Sequence, residues 1–153
     1  MPSKFNISAK LKAFEELKKT LPVKLGASSV NFFKQSFRGS QAGFIDQGLQ
    51  KWKEVKRRTP GTKAYKYAKK SSRTRGILVK SGELRNSIAV KSTSFERTLI
   101  ATDKKYAQVH NEGLKAGRGK GFTMPKRKFM GDSHELTKKH LKTIKKDIDS
   151  AMK

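Results

Sequence analysis

Between residues 76 and 103 this chain is almost electrically neutral, with 4 basic and 3 acidic side chains, although most of what surrounds it is strongly cationic. The flanking windows, residues 51–75 and 104–128, carry 11 basic against 1 acidic and 8 basic against 1 acidic, which is +10 and +7 of a formal net charge of +25. The pattern predicts a compact middle with two basic excursions. At physiological salt such charge acts over only about 8 Å, and it speaks to partners and assembly more than to fold.

A length of 153 residues suits one domain. A hydrophobic fraction of 34%, with nine Phe, three Tyr and one Trp, supplies a modest core, and partial disorder is expected outside it. The absence of cysteine excludes disulfides, thiolate metal sites and cysteine nucleophiles. No apolar run approaches the roughly 20 residues that span a bilayer. The opening Met-Pro-Ser-Lys-Phe-Asn leads into an amphipathic segment and lacks the pattern of a secretory leader. The expectation is a soluble protein made inside a cell, with no membrane partner.

Leu11, Phe14, Leu17 and Leu21 recur every three or four residues and predict a helix capped by Ser8 and ended or kinked at Pro22. Val30, Phe33 and Phe37 predict a second helix ending near Gly39, so residues 8–39 form a helical N-terminal part. Phe44, Leu49 and Trp52 give a less regular pattern, expected as a loop with a short helical turn. Ser81 and Gly82 predict a helical turn over 83–86. Residues 87–92 and 95–102, rich in Ile, Val, Thr and Phe, predict an antiparallel hairpin. Asp103 is expected to cap a short helix stopping at Gly113, and residues 122–129 to form a third, edge strand containing Pro125. Asp132 and Glu135 fit a capping box before a terminal helix over 132–152, marked by Leu136, Leu141, Ile144, Ile148 and Met152. The fold class is therefore α+β: a small antiparallel sheet in a β-rich core over 76–131, packed with amphipathic helices from both ends of a single domain.

The first excursion, residues 51–75, reads as a loop or extended arm, with Trp52, Tyr65 and Tyr67 among its cations; such aromatics suit stacking on bases or arginines as well as packing. In the second, Gly117, Gly119 and Gly121 alternate with long side chains without a Gly-Lys-Ser/Thr ending, which describes a basic loop and not a phosphate cradle. Candidates for contact with a partner or DNA are Arg57, Arg58, Lys69, Lys70, Arg73 and Arg75 in the arm and Lys115, Arg118 and Lys120 in the loop. The three histidines, His110, His134 and His140, have no acidic pair at metal-ligand spacing, and no serine stands in a nucleophile motif, so neither a metal site, a cofactor nor a catalytic group is expected. His110-Asn111-Glu112 contains nuclease residue types but lacks converging carboxylates. The expected role of His110 is to pack against Tyr106 and hydrogen-bond a neighbouring strand.

Three stretches then occur in a telling order. Residues 77–88 contain Ser-Gly-x-Leu-x-x-Ser-Ile, residues 101–113 contain Tyr-Ala-x-x-His-x-x-Gly, and residues 124–131 contain Pro-x-Arg-x-Phe-x-Gly. Together, over about residues 30–150, the chain resembles the phage virion morphogenesis proteins, also called tail completion proteins, departing from them at Ala101, where glycine is frequent, and in the basicity of its excursions. The resemblance implies a non-enzymatic structural protein at the neck of a tailed bacteriophage. Its motif residues here are Ser81, Gly82, Leu84, Ser87, Ile88, Tyr106, Ala107, His110, Gly113, Pro125, Arg127 and Phe129. Leu84 and Ile88 are expected to share one core pocket, Pro125 and Phe129 to pin an extended segment, and Arg127 to serve an ion pair or a neighbouring subunit. The expected assembly is a homo-oligomeric ring, with a hexamer the first guess, next to other neck and tail proteins and genomic DNA. The alternative is a nucleic-acid-binding module without catalysis.

Overall fold

The structure is a computed structural model that describes residues 6–39 and 42–153. The first five residues, on which the leader reading partly rests, lie outside it. The N-terminal apolar spacing produces one helix, α1 (Ile7–Gln35), and not two. Asn6 caps it in place of Ser8, its side chain accepting the Ala9 N–H at 3.1 Å. Pro22 sits inside the helix. A mid-helix proline costs about 3 kcal/mol through its missing donor and its clash with the preceding turn. Burial offsets this, because Leu21, Pro22, Gly26, Ser29, Phe32 and Phe33 of the second half are all buried. They pack where α1 meets the C-terminal helix α6 (His134–Ala151) and the hairpin of β3 (Ala89–Thr93) and β4 (Thr98–Ala101).

Helix α6 begins one residue later than its expected cap. Ser133 is the N-cap, accepting the Leu136 N–H at 3.2 Å, while Asp46 reaches across to accept the His134 N–H at 2.9 Å. A carboxylate at a helix N-terminus is favourable, and here it comes from 86 positions before Asp132. The His134 backbone and ring together hold the Asp46 carboxyl below its usual range. Lys24 and Asp147, 2.8 Å apart, join α1 to α6.

The expected single sheet is instead three separate two-stranded antiparallel sheets, and the α+β class stands. β3 and β4 pair with Ala89 opposite Ala101 and Thr93 opposite Thr98, with a bulge between Val90 and Ser92. The segment from Phe44 to Trp52, expected as a loop with a helical turn, is a hairpin of β1 (Gly43–Ile45) and β2 (Leu49–Lys51), reversed by Gln47 and Gly48 at φ 50° and 138°. In the third, β5 (Lys115–Ala116) pairs with β6 (Phe122–Thr123) around the glycine-rich tip. The third strand therefore ends at Thr123, short of residue 129, and beyond it the chain runs extended to Phe129 without a strand partner. Pro125 has no N–H to give to a ladder.

The basic arm is folded, contrary to the extended form expected. A 3₁₀ turn (Lys56–Arg58) is followed by α2 (Lys63–Tyr67), capped by Thr62, and α3 (Lys70–Thr74). The short α4 (Glu83–Ser87) and α5 (Ala107–Glu112) complete the molecule. Asp103 does not cap α5; Tyr106 stands at that position with no side-chain cap. The core joins these pieces. Phe37 sits edge-on to Trp52 at 5.3 Å between ring centres and tilted against Phe129 at 5.2 Å, and Phe32 meets Phe44 at 6.3 Å. Phe44, Ile88 and Phe129 are almost wholly enclosed.

Candidate functional site

The three sequence motifs converge. In the first, Gly82 adopts φ 82° at the N-cap of α4, a conformation open to glycine at little cost. Leu84 and Ile88 then enter the same buried cluster, as their four-residue spacing predicts. Ser81 donates to Glu83 at 2.9 Å, and Glu83 pairs with Lys104 at 3.3 Å. Ser87 and Thr102 share a hydrogen bond of 2.5 Å. The first motif is thus fastened to the segment that leads into the second, and the Ser81 hydroxyl and Lys104 hold the Glu83 carboxyl below its usual range.

The second motif is fastened to the third through α5. Ala107 is buried, and Gly113 ends the helix at φ 77°, where a Cβ would stand 2.9–3.0 Å from Lys126. The extended segment therefore passes too close for any side chain at position 113. Arg127 N–H donates to the His110 carbonyl at 2.7 Å and Met124 N–H to that of Leu114 at 3.0 Å. Asn111 does the rest: its Oδ1 accepts the N–H groups of Phe129 and Met130 at 2.9 and 3.1 Å, and its Nδ2 donates to the Met130 carbonyl at 3.2 Å. Sequence reasoning noted Asn111 only as a nuclease residue type. The usable signal was an asparagine inside a short helix, where it is unfavourable unless its amide bonds to backbone.

Where the motifs meet they line an open cleft of about 560 Å³, to which the arm also contributes. Ser81, Gly82 and Leu84 come from the first motif, Tyr106 and His110 from the second, Arg127 from the third, and Arg57 and Arg75 from the arm. Leu78, in the wall, has φ 57°, a strained conformation for a leucine. Tyr106 and His110 stack edge to face at 6.1 Å, as expected. The expected ring hydrogen bond to a strand is not made: Nδ1 of His110 is buried without a partner, and it is the His110 carbonyl that binds a neighbour. Burial, and then the charge of Arg127, lower the His110 pKa from 6.5, so the ring is neutral at pH 7.

Arg127 is 6% exposed and makes no ion pair among the described residues; one terminal nitrogen donates to the Lys53 carbonyl at 3.2 Å. Arg57 donates to the carbonyls of Ser72, Arg75 and Gly76 at 2.8–3.0 Å, folding the arm back on itself. Burial, followed by neighbouring arginines, pushes the pKa of both guanidiniums down. Arg73 stacks on Tyr65 at 4.3 Å, Arg58 faces Glu54 at 3.6 Å, and Trp52 is buried with its indole N–H on the Lys128 carbonyl at 2.7 Å. Of the three aromatics in the arm, Tyr67 alone stands free, 74% exposed. Lys69, Lys70, Lys115, Arg118 and Lys120 are exposed and lie outside the cleft. Among the described residues no group of three or more His, Asp or Glu side chains comes together, and no helix is long and apolar enough to cross a membrane.

Fold and site together define a small, cationic α+β domain organised around one arginine-lined cleft. Residues 15–149 match the phage virion morphogenesis family, and the chain belongs to that family. It is a bacteriophage structural protein with a role in building the virion. No curated protein and no solved structure matches the chain.

Proposed function

We propose that this protein completes the tail or joins it to the head at the neck of a tailed phage, as one subunit of a homo-oligomeric ring, and that it works by contact and not by catalysis. The observation that carries the reading is the family match over residues 15–149, whose three motifs form one connected site. An unpartnered apolar stripe supports the ring. At roughly 1.5 Å per residue, α1 is a long rod, and its first half exposes Ile7 and Leu11 at 63% each and Phe14 at 39%. Those three are spaced by four and three, on one face. A ring needs a head-to-tail interface in which one patch meets a different patch on the next copy; the stripe supplies one such patch. The exposed lysines of the arm and loop then face DNA in the channel or acidic surfaces of adjoining rings.

The test is a phage lacking this protein. Electron micrographs are expected to show full heads and tails unjoined or misjoined. Normal, infectious particles would reject the reading. Exposed Tyr67 among Lys63, Lys66, Lys69 and Lys70 favours a DNA-contacting arm as a second reading. It requires binding of the purified protein to duplex DNA with a steep fall in log K against log salt.

A further inference from the structure

The cleft holds more cationic donors than its own fold uses. Arg127 is buried, yet among the described residues its Nε has no hydrogen-bond partner, and only one of its terminal nitrogens has one. Arg75 gives Nη2 to Ser72 at 3.2 Å and likewise leaves Nε buried and unpartnered. Nδ1 of the neutral His110 ring is also buried without a hydrogen-bond partner among the described residues. The nearby carboxylates are engaged elsewhere, Glu83 with Ser81 and Lys104 and Glu54 with Arg58. Folded proteins seldom leave buried donors of this kind unmatched, and an uncompensated buried cation is unfavourable until an anion reaches it. Between the cations the walls are apolar, from Val55, Leu78, Val79 and Leu84.

We propose that this cleft is a docking site for a short acidic segment of another virion protein, which inserts a carboxylate side chain between Arg75 and Arg127 and lays an adjacent apolar side chain on the Leu78–Val79 wall. Two features favour a protein occupant over DNA. Arg127 lies deep, where a carboxylate on a slender side chain reaches and a phosphodiester, tied to sugars on both sides, is held back. The apolar wall suits an aliphatic side chain and offers no hydrogen-bond partner to a phosphate or a deoxyribose oxygen. The volume of about 560 Å³ lies in the range of clefts that enclose small ligands. The inference goes beyond the ring reading, since a ring can close through α1 whether or not the cleft is filled.

The full chain, labelled with ¹⁵N, is titrated to millimolar concentration with a blocked pentapeptide of sequence Ala-Leu-Glu-Leu-Ala, while the arginine Nε–H resonances are followed. Those of Arg75 and Arg127 are expected to move with this peptide and to stay still with the Gln counterpart. Arg75→Gln is expected to weaken the peptide about tenfold, as loss of one charge-assisted contact does. Arg127→Met is expected to abolish binding, with retained backbone spectra showing that the variant folds. If Arg127→Met does not fold, the partly buried Arg75 decides alone. Equal shifts with the Glu and Gln peptides, no shift with either, or full affinity in Arg75→Gln overturns the proposal. So do shifts at these two arginines produced by a short DNA duplex in place of the peptide, or by raising the protein concentration alone, which would name nucleic acid or a second copy as the occupant.

Discussion

Asn111 and Phe129 show how much of this architecture rests on single side chains. The amide of Asn111 supplies three hydrogen bonds to a segment that has no strand partner. Each is worth about 0.5–1.5 kcal/mol, with a further penalty when buried donors lose their acceptor. Asn111→Ala should therefore cost about 2–3 kcal/mol, measured by urea unfolding, and Asn111→Asp should recover part of it because the acceptor remains. The Phe129 side chain, 1% exposed and packed against Phe37, pins that same end of the segment to the core; Phe129→Ala should cost about 3–5 kcal/mol in the same assay. Leu84 and Ile88 were legible as core from their spacing, and Phe129 from its place in the third motif. Arg127 and Asn111 were not, because a side chain that bonds to distant backbone leaves no periodic trace.

At the scale of elements, the junction of α1 and α6 contains a titrating group. Ser29 donates its hydroxyl to the Leu25 carbonyl at 2.9 Å, so at 3.1 Å it accepts from Nε2–H of His140. Burial first, and Lys139 second, lower the His140 pKa from 6.5, and burial acts in the same direction on His110. The unfolded chain takes up these protons near pH 6.5 and the folded one only at lower pH. Stability is thus full above that value and falls as the pH drops below it. The melting temperature is expected to decline from neutral to mildly acid pH, and less steeply in His140→Gln, whose amide keeps a donor without titrating. Element types were largely legible in the sequence, and the failures have physical causes. The penalty at Pro22 is local, while the burial that overrides it comes from α6 and the β3–β4 hairpin, far away in sequence. The β1–β2 turn uses Gln47-Gly48 in place of the Asn-Gly that announces a hairpin. Asp46 reaches the start of α6 only after the chain has folded.

For the whole molecule, the net charge of +25 and the exposed apolar residues of α1 are the two features that the proposed ring would cover. Leu11→Glu combined with Phe14→Glu changes exposed positions only, so thermal unfolding of the monomer should be unaffected. Light scattering should show the double variant at a lower mass than the native chain, as the proposed ring through α1 requires. An unchanged mass distribution would count against α1 as the contact.

The Arg57 clasp bears on how the arm meets a protease. Trypsin cuts after lysine and arginine where the chain can be drawn out straight, and residues 51–75 offer it 11 such bonds. With Arg57 holding the carbonyls of Ser72, Arg75 and Gly76, seven of these bonds, after Lys56, Arg57, Arg58, Lys63, Lys66, Lys70 and Arg73, sit in short helices bound back on themselves. Early cuts in a limited digest should fall at Arg118 and Lys120, in the exposed glycine-rich tip. Arg57→Gln should shift the first cuts into the arm, turning the most cationic stretch of the chain from one of its guarded regions into its most vulnerable.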